Sequence, residues 1–292
     1  MVTAMQQHAR YRLAVDVPLS PGAILTLEGN PAHYLATVLR LGVGDRIGLF
    51  NRTEGEWVAV ITEIHKRAVV VQVEVCTRPV GEKVALTVCF APIKGGRLET
   101  IIEKATELGA SVLQPVITQR TIVDKVNLDR AYAIAREAAE QCERVDWPEI
   151  RQPVKLAALL ASWPKEVSLI YGDESGGSGS VVEILAHPPS LRGGEADVAI
   201  QRPETAASGL PRFAGNDGGC ANKWAILVGP EGGFTPEELA LLTRIPAAIG
   251  VGLGPRILRA DTAVITLCTL TLAAWGDWEQ RPRFAPDDKR VS

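Results

Sequence analysis

The sequence has few of the residues from which metal centres and disulfide frameworks are built. Its 292 residues include four histidines and five cysteines. The histidines are far apart and the cysteines form no CxxC pair, so we expect no metal site. An odd number of scattered cysteines is typical of a reducing compartment, and we expect a cytoplasmic protein with free thiols.

The phosphate-binding motifs of common nucleotide-dependent enzymes are also missing. No P-loop is present, and Gly252-Leu253-Gly254 has Ile257 where a dinucleotide fingerprint requires its third glycine. We expect no signal peptide, and the longest apolar run, residues 264–275, is too short to span a bilayer. These absences argue against a P-loop enzyme, a dinucleotide-dependent dehydrogenase and a membrane protein.

A formal net charge of −3 gives no sign of a nucleic-acid-binding protein. The charge is unevenly spread, because residues 173–222 hold seven acids and three arginines, which leaves +1 on the rest of the chain. The net charge therefore neither excludes nor supports a local basic surface. The length and the 46% hydrophobic content suffice for one large domain or two.

Residues 12–78 are predicted to be rich in β-structure. Short strands are expected at 46–50, 56–64 and 68–75, with turns at 42–45 and 51–55, and a short helix at 32–41. Several short strands in so few residues favour a small barrel. Residues 78–81 are the expected linker.

The rest of the chain alternates strands and helices. A strand at 84–91, a helix ending at Gly109 and a strand at 112–117 form a βαβ unit, which predicts a parallel sheet. Asn127 is expected to cap a helix that runs to Arg144, and a further strand is expected at 167–171. Residues 187–222 are rich in Gly, Pro, Ala and Ser and are predicted to be a flexible insertion.

Two strand-then-glycine-loop units follow the insertion. The strand at 225–228 ends in Gly229-Pro230-Glu231-Gly232-Gly233, and Thr235 is expected to cap the next helix. The strand at 248–253 ends in Gly254-Pro255, and Asp261 and Thr262 are expected to open an apolar helix that reaches residue 275. Glycine loops at the carboxyl ends of neighbouring strands are where an open α/β sheet binds its ligand. The alternative is that each loop only turns the chain.

Both blocks carry a family resemblance. The runs LVGPEGGF and LGPRILRADTA are similar to the signature of the ribosomal RNA small subunit methyltransferase E family, a SPOUT-class family. AHYLATVLRLGVGDRIGLF resembles its amino-terminal PUA-like domain, and KGGRLETIIEKATELGASVLQPVITQR and EAAEQCER also follow its pattern. One departure is Asp261, where the family more often has glutamate.

The resemblance implies a fold, a reaction and partners. It implies a PUA-like RNA-binding β-barrel at 1–78 and, at 82–280, an α/β SPOUT domain whose parallel sheet is tied into a trefoil knot. The implied reaction is methylation of uridine N3 in 16S rRNA of the small ribosomal subunit with S-adenosylmethionine. It further implies a homodimer, with the helix at 263–275 as a candidate interface; the alternative is that this helix packs only within its own domain.

The implied cofactor site consists of three loops. They are 172–174, 229–233 and 253–259, and the expected cofactor-binding residues are Gly172, Glu174, Gly229, Pro230, Glu231, Gly232, Gly233, Leu253, Gly254, Ile257, Leu258 and Arg259. Leu253, Ile257 and Leu258 are expected to pack on the adenine ring. Glu231 is expected to face the ribose or the amine of the cofactor, with a turn acid beside a helix start as the alternative.

The reaction needs the uracil N3 proton to leave, and a nearby arginine would favour the anion. Arg259 is the first candidate and Arg12, in a run that resembles the family's amino-terminal arginine motif, is the second. Asp261 is expected to orient Arg259 or accept the proton, while helix capping and an ordinary salt bridge remain the alternatives for Asp261 and Arg259. Arg12, Arg40, Arg120 and Arg144 are the expected RNA contacts, with solvated surface arginine as the alternative.

Two other functions stay open from the sequence. A SPOUT methyltransferase that acts on another RNA base would carry the same cofactor loops. A non-catalytic RNA-binding factor in ribosome assembly would share the PUA-like domain, and cofactor binding would distinguish it.

Overall fold

The computed structural model of the protein describes residues 9–81, 85–181 and 223–276. These residues divide into two compact units. The first takes its residues from Met1–Lys83 and Asp129–Pro148, and the second from Val84–Leu128 and Glu149–Ser292. The domain assignment at 1–78 and 82–280 stays a prediction, and residues 129–148 are where this division differs from it. The insertion predicted at 187–222 lies outside the described residues.

The first unit is built on a curled five-stranded sheet. Its strands are β1 (Arg12–Ala14), β2 (Ile24–Glu28), β3 (Arg46–Asn51), β4 (Gly55–Ile64) and β5 (Ala68–Arg78). They run in the order β1-β3-β4-β5-β2, with β1 parallel to β3 and the other pairs antiparallel. Among the described strands β1 and β2 do not pair, so the predicted barrel is an open half-barrel.

The core of this unit follows from strand alternation. Val69, Val71 and Val73 of β5 are buried while the residues between them are more exposed, because every second residue of a half-buried strand faces the core. Strand β3 does not alternate, since all of its residues from Ile47 to Asn51 are buried. The turn predicted at 51–55 is confirmed, and Asn51 builds it. Its side-chain Oδ1 accepts from the backbone N–H groups of Thr53 and Glu54.

The helix predicted at 32–41 is wrong in its bounds and in part of its type. Helix α1 (Asn30–His33) begins two residues earlier and continues as a π-helical turn at Tyr34–Val38. A proline in the first turn of α1 lacks only an N–H that has no helical partner there. Arg40 then takes a φ of 56°, which ends the helical path.

The second unit contains a parallel sheet. Its strands are β6 (Leu86–Phe90), β7 (Val112–Ile117), β8 (Glu149–Ile150), β9 (Val154–Lys155), β10 (Val167–Gly172), β11 (Lys223–Val228) and β12 (Ala248–Val251). The order is β12-β10-β11-β6-β7-β8, and β9 pairs with β7. All the recorded pairs are parallel, which confirms the predicted α/β class.

Helices connect and cover these strands. They are α2 (Gly96–Glu107), α3 (Leu128–Gln141, which lies almost wholly in the first unit), α4 (Leu156–Ala161), α5 (Pro236–Leu242) and α6 (Ala260–Trp275). Helix α2 joins β6 to the parallel strand β7, as predicted, and Gly109 beyond its end has a φ of 105°. None of the helices in the described ranges has the length and apolar character needed to cross a membrane.

Three helix ends test the capping predictions. Thr235 caps α5 as predicted: its side chain accepts from Glu238 N, and the Glu238 side chain accepts from Thr235 N, which is a capping box. Helix α3 begins directly after Asn127 but ends three residues before Arg144, because Glu143 has a left-handed φ of 60°. Helix α6, expected to open at Asp261, begins one residue earlier at Ala260, with Arg259 at the N-cap position. The alternative that Asp261 or Thr262 caps this helix is therefore wrong.

Candidate active site

Three neighbouring strands end beside one another. β10 pairs with β11 on one side and with β12 on the other, and all three are parallel. Their carboxyl ends therefore meet at one edge of the sheet, which is where ligands bind in open α/β folds. The loops that leave this edge begin at Gly172, Gly229 and Gly252.

These loops enclose a cavity of about 530 Å³. Its volume is within the roughly 300–1,000 Å³ typical of small-molecule sites. Ten of the twelve expected cofactor-binding residues line it: Gly172, Glu174, Gly229, Pro230, Glu231, Gly233, Leu253, Gly254, Ile257 and Leu258. Gly232 and Arg259 are not among the lining residues, although each adjoins residues that are.

The glycines of the loop after β11, residues 229–233, are needed for packing as well as for turning. We call this loop the middle loop, because it is the second of the three along the chain. A Cβ on Gly229 would lie 3.2 Å from the Phe234 ring, and one on Gly233 would lie 2.0 Å from the Glu174 carboxylate. Gly233 also has a φ of 67°, which side-chain-bearing residues rarely adopt. The loop after β10 and the loop after β11 are thus packed directly against each other.

One wall of the cavity is apolar. Ile257 lines it with 82% of its surface exposed, beside the partly buried Leu253 and Leu258. Behind the middle loop, the rings of Phe234 and Tyr171 meet edge to face with centroids 6.4 Å apart. An exposed isoleucine in the lining of a cavity offers an apolar surface on which a flat aromatic ligand can pack.

Acidic side chains form another part of the lining. Asp173 accepts from Ser178 Oγ at 2.6 Å and from Ser175 N at 2.9 Å. Partial burial raises the pKa of Asp173, but these hydrogen bonds outweigh it and the net shift is downward, so the carboxylate is charged at neutral pH. Glu231 is half-exposed and lies 3.7 Å from Arg97.

The segment after β7 is attached to the middle loop. Arg120 Nη1 donates to the carbonyl oxygens of Gly232 and Phe234, and Gln119 N donates to the buried carboxylate of Glu238. Arg120 also lines the cavity. Its guanidinium is therefore engaged by protein carbonyls, whereas the sequence predicted an RNA contact.

Arg259 and Asp261 lie at the start of α6. The Arg259 side chain is exposed, and Asp261 Oδ1 accepts from Thr262 N at 2.9 Å. No hydrogen bond or ion pair among the described residues joins Arg259 to Asp261. Of the two functions expected for Asp261, orientation of Arg259 has no contact to support it in this structure.

Arg12 is held inside the first unit. Its side chain is 8% exposed and forms an ion pair with Glu56 at 2.9 Å. It also donates to the carbonyl oxygens of Ala139, Glu140 and Arg144. Burial lowers the pKa of Arg12, but an arginine remains charged at any physiological pH. These contacts support a structural role, and the predicted catalytic and RNA-binding roles remain predictions.

The other expected RNA contacts differ in their surroundings. Arg144 is partly buried and paired with Asp146 at 3.0 Å. Arg40 is exposed at the end of the π-helical turn and has no ion pair with another described residue. Of the four arginines, Arg40 is the one whose guanidinium is available at the surface.

Several lining residues were not selected from the sequence. Asp173 and Arg256 lie inside loops that were predicted, and the polar character of each was a usable signal. Others were missed: Ser175, Gly176, Val228, Phe234, Leu239, Gly252, Pro255, Ala260 and Ala263. Leu239, Ala260 and Ala263 come from helices, and only the fold brings them to the strand ends.

Comparisons with known proteins assign the two parts of the chain. Residues 81–272 match the RNA methyltransferase domain family, and residues 27–74 match the RNA methyltransferase PUA domain family. A ribosomal RNA small subunit methyltransferase E of Rickettsia conorii is 32% identical over 87% of this chain and 92% of its own length. The corresponding protein of Synechocystis is 31% identical over 87% of this chain and 74% of its own length.

Solved structures share the fold. A Legionella pneumophila protein described as a methyltransferase and solved with bound SAM has a TM-score of 0.69 and 28% identity, and the match covers 91% of this chain and 98% of that one. A ribosomal RNA small subunit methyltransferase E of Neisseria gonorrhoeae, bound to S-adenosylmethionine, has a TM-score of 0.70, 23% identity and coverage of 93% and 100%. The second likeness is evidence for the fold alone.

A parallel sheet with a three-loop cavity at its carboxyl edge, in a chain that also contains a PUA-type half-barrel, defines an RNA methyltransferase. Within this class the chain belongs to the ribosomal RNA small subunit methyltransferase E family. The resemblance stated from the sequence and the predicted fold class are both confirmed. The SAM bound to the Legionella protein agrees with the predicted cofactor.

Proposed function

We propose that this protein methylates N3 of a uridine in 16S rRNA of the small ribosomal subunit, with S-adenosylmethionine as methyl donor. The observation that carries the proposal is the cavity of about 530 Å³ formed by three loops at the carboxyl edge of the sheet. Relatives of this protein are named as methyltransferases of small-subunit ribosomal RNA. Uridine as the base and N3 as the atom come from the family resemblance.

The lining fits the proposed cofactor chemically. Exposed Ile257, with Leu253 and Leu258, offers an apolar surface for adenine, and Glu231 and Asp173 offer acceptors for hydroxyl or amine groups. The loop glycines leave backbone N–H and C=O groups accessible to an adenine edge. When bound, the cofactor supplies a methyl group already activated on a sulfonium.

The protein's contribution is to hold the acceptor and favour loss of its proton. We assign Arg259 to the charge that develops on a uracil oxygen as N3 loses its proton, since the residue is exposed and lies in the chain between the lining residues Leu258 and Ala260. We assign to Asp261 the role of accepting that proton. One of its carboxylate oxygens, Oδ1, already accepts a hydrogen bond from Thr262 N. Arg40 is the proposed phosphate contact on the PUA-like unit.

Four further features belong to this proposal. They are the two-domain division at 1–78 and 82–280, a trefoil knot in the methyltransferase domain, a homodimer and a cytoplasmic location, where ribosomal subunits are found. The knot is an exception among folds and comes from the SPOUT resemblance.

The test is a methyl-transfer assay with a nucleoside readout. Purified protein is incubated with labelled S-adenosylmethionine and small subunits that lack the modification, and the RNA is digested to nucleosides. We expect label in 3-methyluridine, and a loss of at least about a hundredfold in rate for Arg259→Ala, as for removal of one oxyanion donor. Arg244→Ala, which removes an exposed arginine outside the cavity lining, is the control.

Other outcomes distinguish the remaining candidates. Label in a different nucleoside would keep the methyltransferase and reject uridine N3. Cofactor binding without label in any RNA tested would favour a non-catalytic assembly factor. Replacement of Arg40 by asparagine, which tolerates its left-handed backbone, should lower the salt dependence of rRNA binding by about one phosphate contact.

A further inference from the structure

The segment that follows β7 is a compact turn. Thr118 N donates to Thr121 Oγ1 at 2.9 Å, the two threonine hydroxyls are 2.8 Å apart, and Thr121 N donates to the Thr118 carbonyl oxygen. The two residues between them, Gln119 and Arg120, are thereby fixed in place. Arg120 points a donor at the loop that follows β11, and Gln119 points one at the first turn of α5.

Glu238 joins this turn to the start of α5. Its side chain is buried, with the residue 4% exposed, and one oxygen accepts from Gln119 N at 2.8 Å while the other accepts from Thr235 N at 2.9 Å. A buried carboxylate is costly unless its oxygens are hydrogen-bonded, and here backbone donors from two distant segments satisfy them. Capping α5 needs only the Thr235 bond, so the bond to Gln119 is an additional constraint.

Arg120 adds a second attachment, in the loop that precedes α5. Its Nη1 donates to the carbonyl oxygen of Gly232 at 2.5 Å and to that of Phe234 at 3.3 Å. Its aliphatic stem lies over Gly232, where a Cβ would come within 3.3 Å of Arg120 Cδ. Arg120, more than a hundred positions earlier in the chain, therefore holds the loop at Gly232 and Phe234. Glu238, the partner of Gln119, holds the chain at Thr235.

We propose that Arg120 and Glu238 are positioning residues that hold the loop 229–234 in its ligand-lining shape before the cofactor arrives. The inference rests on the proposed function, because it takes the ligand of this cavity to be S-adenosylmethionine. A loop that is ordered in advance loses less conformational entropy on binding, so these attachments raise cofactor affinity. An RNA contact, by contrast, would leave affinity for the free cofactor unchanged.

The experiment measures cofactor binding by calorimetry in the absence of RNA, using the full chain. Arg120→Ala should raise the Kd for S-adenosylmethionine about ten- to a hundredfold, since charged hydrogen bonds to both carbonyls are lost. Arg120→Lys keeps one charged donor and should recover part of the affinity, and Glu238→Gln should weaken binding because its amide cannot accept at both oxygens. Lys125→Ala, an exposed cation in the same connecting segment, is the matched control and should bind as wild type.

Two further readouts separate positioning from a general loss of stability. Hydrogen exchange of the amides at 229–234 in the cofactor-free protein should rise in Arg120→Ala and Glu238→Gln, while exchange in β6 and β7 stays unchanged. In steady-state assays, KM for S-adenosylmethionine should rise more than kcat falls. If Arg120→Ala does not fold, Arg120→Lys and Glu238→Gln decide the question by the same measurements.

The result that overturns the inference is clear. The inference fails if the variants bind S-adenosylmethionine with an unchanged Kd and show unchanged hydrogen exchange at 229–234. A raised KM for rRNA together with a smaller salt dependence of rRNA binding would then make Arg120 an RNA contact. If the wild type itself binds no S-adenosylmethionine, the proposed function fails. The exchange measurement would still decide whether the two residues hold the loop.

Discussion

At the scale of single residues, the parallel sheet depends on positions where no side chain fits. Gly250 in β12 is one: a Cβ there would lie 2.4 Å from Ser178 Oγ and 2.9 Å from the Tyr171 ring. The serine hydroxyl can move only by giving up its hydrogen bond to Asp173, and the buried Tyr171 ring is packed edge to face against Phe234. We expect Gly250→Ala to lower the free energy of unfolding by about 1–3 kcal/mol, as overpacking does.

Chemical denaturation measures this effect, and Gly252→Ala is the matched control. Gly252 lies two residues along the same segment, has an ordinary φ, and a Cβ there would meet no atom closer than 3.7 Å. Equal stability losses in the two variants would show that the tyrosine contact is not the cause.

Glu140 is the residue for which we predict a pH effect. Burial raises its pKa above the ordinary value of 4.5, and the hydrogen bond from Ala14 N and the charge of Arg12 offset this only in part. Between the unfolded and the raised folded pKa the native state binds more protons than the unfolded state, so this residue's contribution to stability falls as pH rises through that window. Glu140→Gln keeps an acceptor for Ala14 N and has no charge to bury.

The measurement is urea denaturation of both proteins from about pH 4.5 to about pH 7.5. We expect the stability of Glu140→Gln relative to wild type to increase with pH over this range. Glu166→Gln, at an exposed acid, should show no such trend. A relative stability of Glu140→Gln that is flat or falls with pH would mean that burial does not control this carboxyl.

At the scale of elements, the β3–β4 hairpin depends on Asn51. The side chain is buried, accepts from Thr53 N and Glu54 N, and donates to the Val17 carbonyl oxygen at 2.9 Å. Asn51→Ala would leave these backbone groups without partners, and we expect a loss of about 2–4 kcal/mol in unfolding free energy. Thr53→Ala removes the 3.3 Å hydrogen bond from the Thr53 hydroxyl to Asn51 Oδ1 but leaves the backbone groups paired, and it should cost less, about 0.5–1 kcal/mol. Similar losses of unfolding free energy in the two variants would show that the bonds from Asn51 to the backbone are not the cause.

The elements also show how far local sequence patterns extend. The capping box at Thr235, the βαβ unit and the turn at 51–55 were all predicted, because each depends on residues a few positions apart. The π-helical turn at Tyr34–Val38 and the strand Arg12–Ala14 were not, since packing of Leu35 and pairing with β3 determine them. Helix α6 begins before Asp261 for a similar reason, because packing and not a side-chain cap determines where it starts. Its first residue, Ala260, is buried, and Arg259 at the N-cap position forms no side-chain cap.

The same division applies to the candidate site. The glycine loops after β11 and β12 predicted two of the strand ends that line the cavity, and the family resemblance implied the third, after β10. The role of Arg120 could not be predicted, because its partners Gly232 and Phe234 are 112 and 114 positions away and only the sheet order brings them together. A surface arginine and an arginine that holds a loop look alike in sequence.

At the scale of the whole molecule, the proposed homodimer depends on one face of α6. The inward face of this helix is buried and includes Ala263, Val264, Leu267 and Cys268. Apolar residues elsewhere on the helix stay partly exposed, namely Ile265, Leu270 and Ala273. An apolar helix face that a monomer leaves partly open is a candidate for contact with a second copy of the chain. We therefore expect Ala273→Lys, which places a charge on this partly open face, to convert a dimer into a monomer.

Analytical ultracentrifugation over a range of concentrations measures this change. Ile122→Lys places the same charge at an exposed isoleucine outside α6, and this control should remain dimeric. Circular dichroism should show that Ala273→Lys stays folded, because the position is not part of the buried face and lysine is a good helix former. A wild-type protein that is monomeric at all concentrations, or an Ala273→Lys variant that stays dimeric, would remove this face of α6 as the interface.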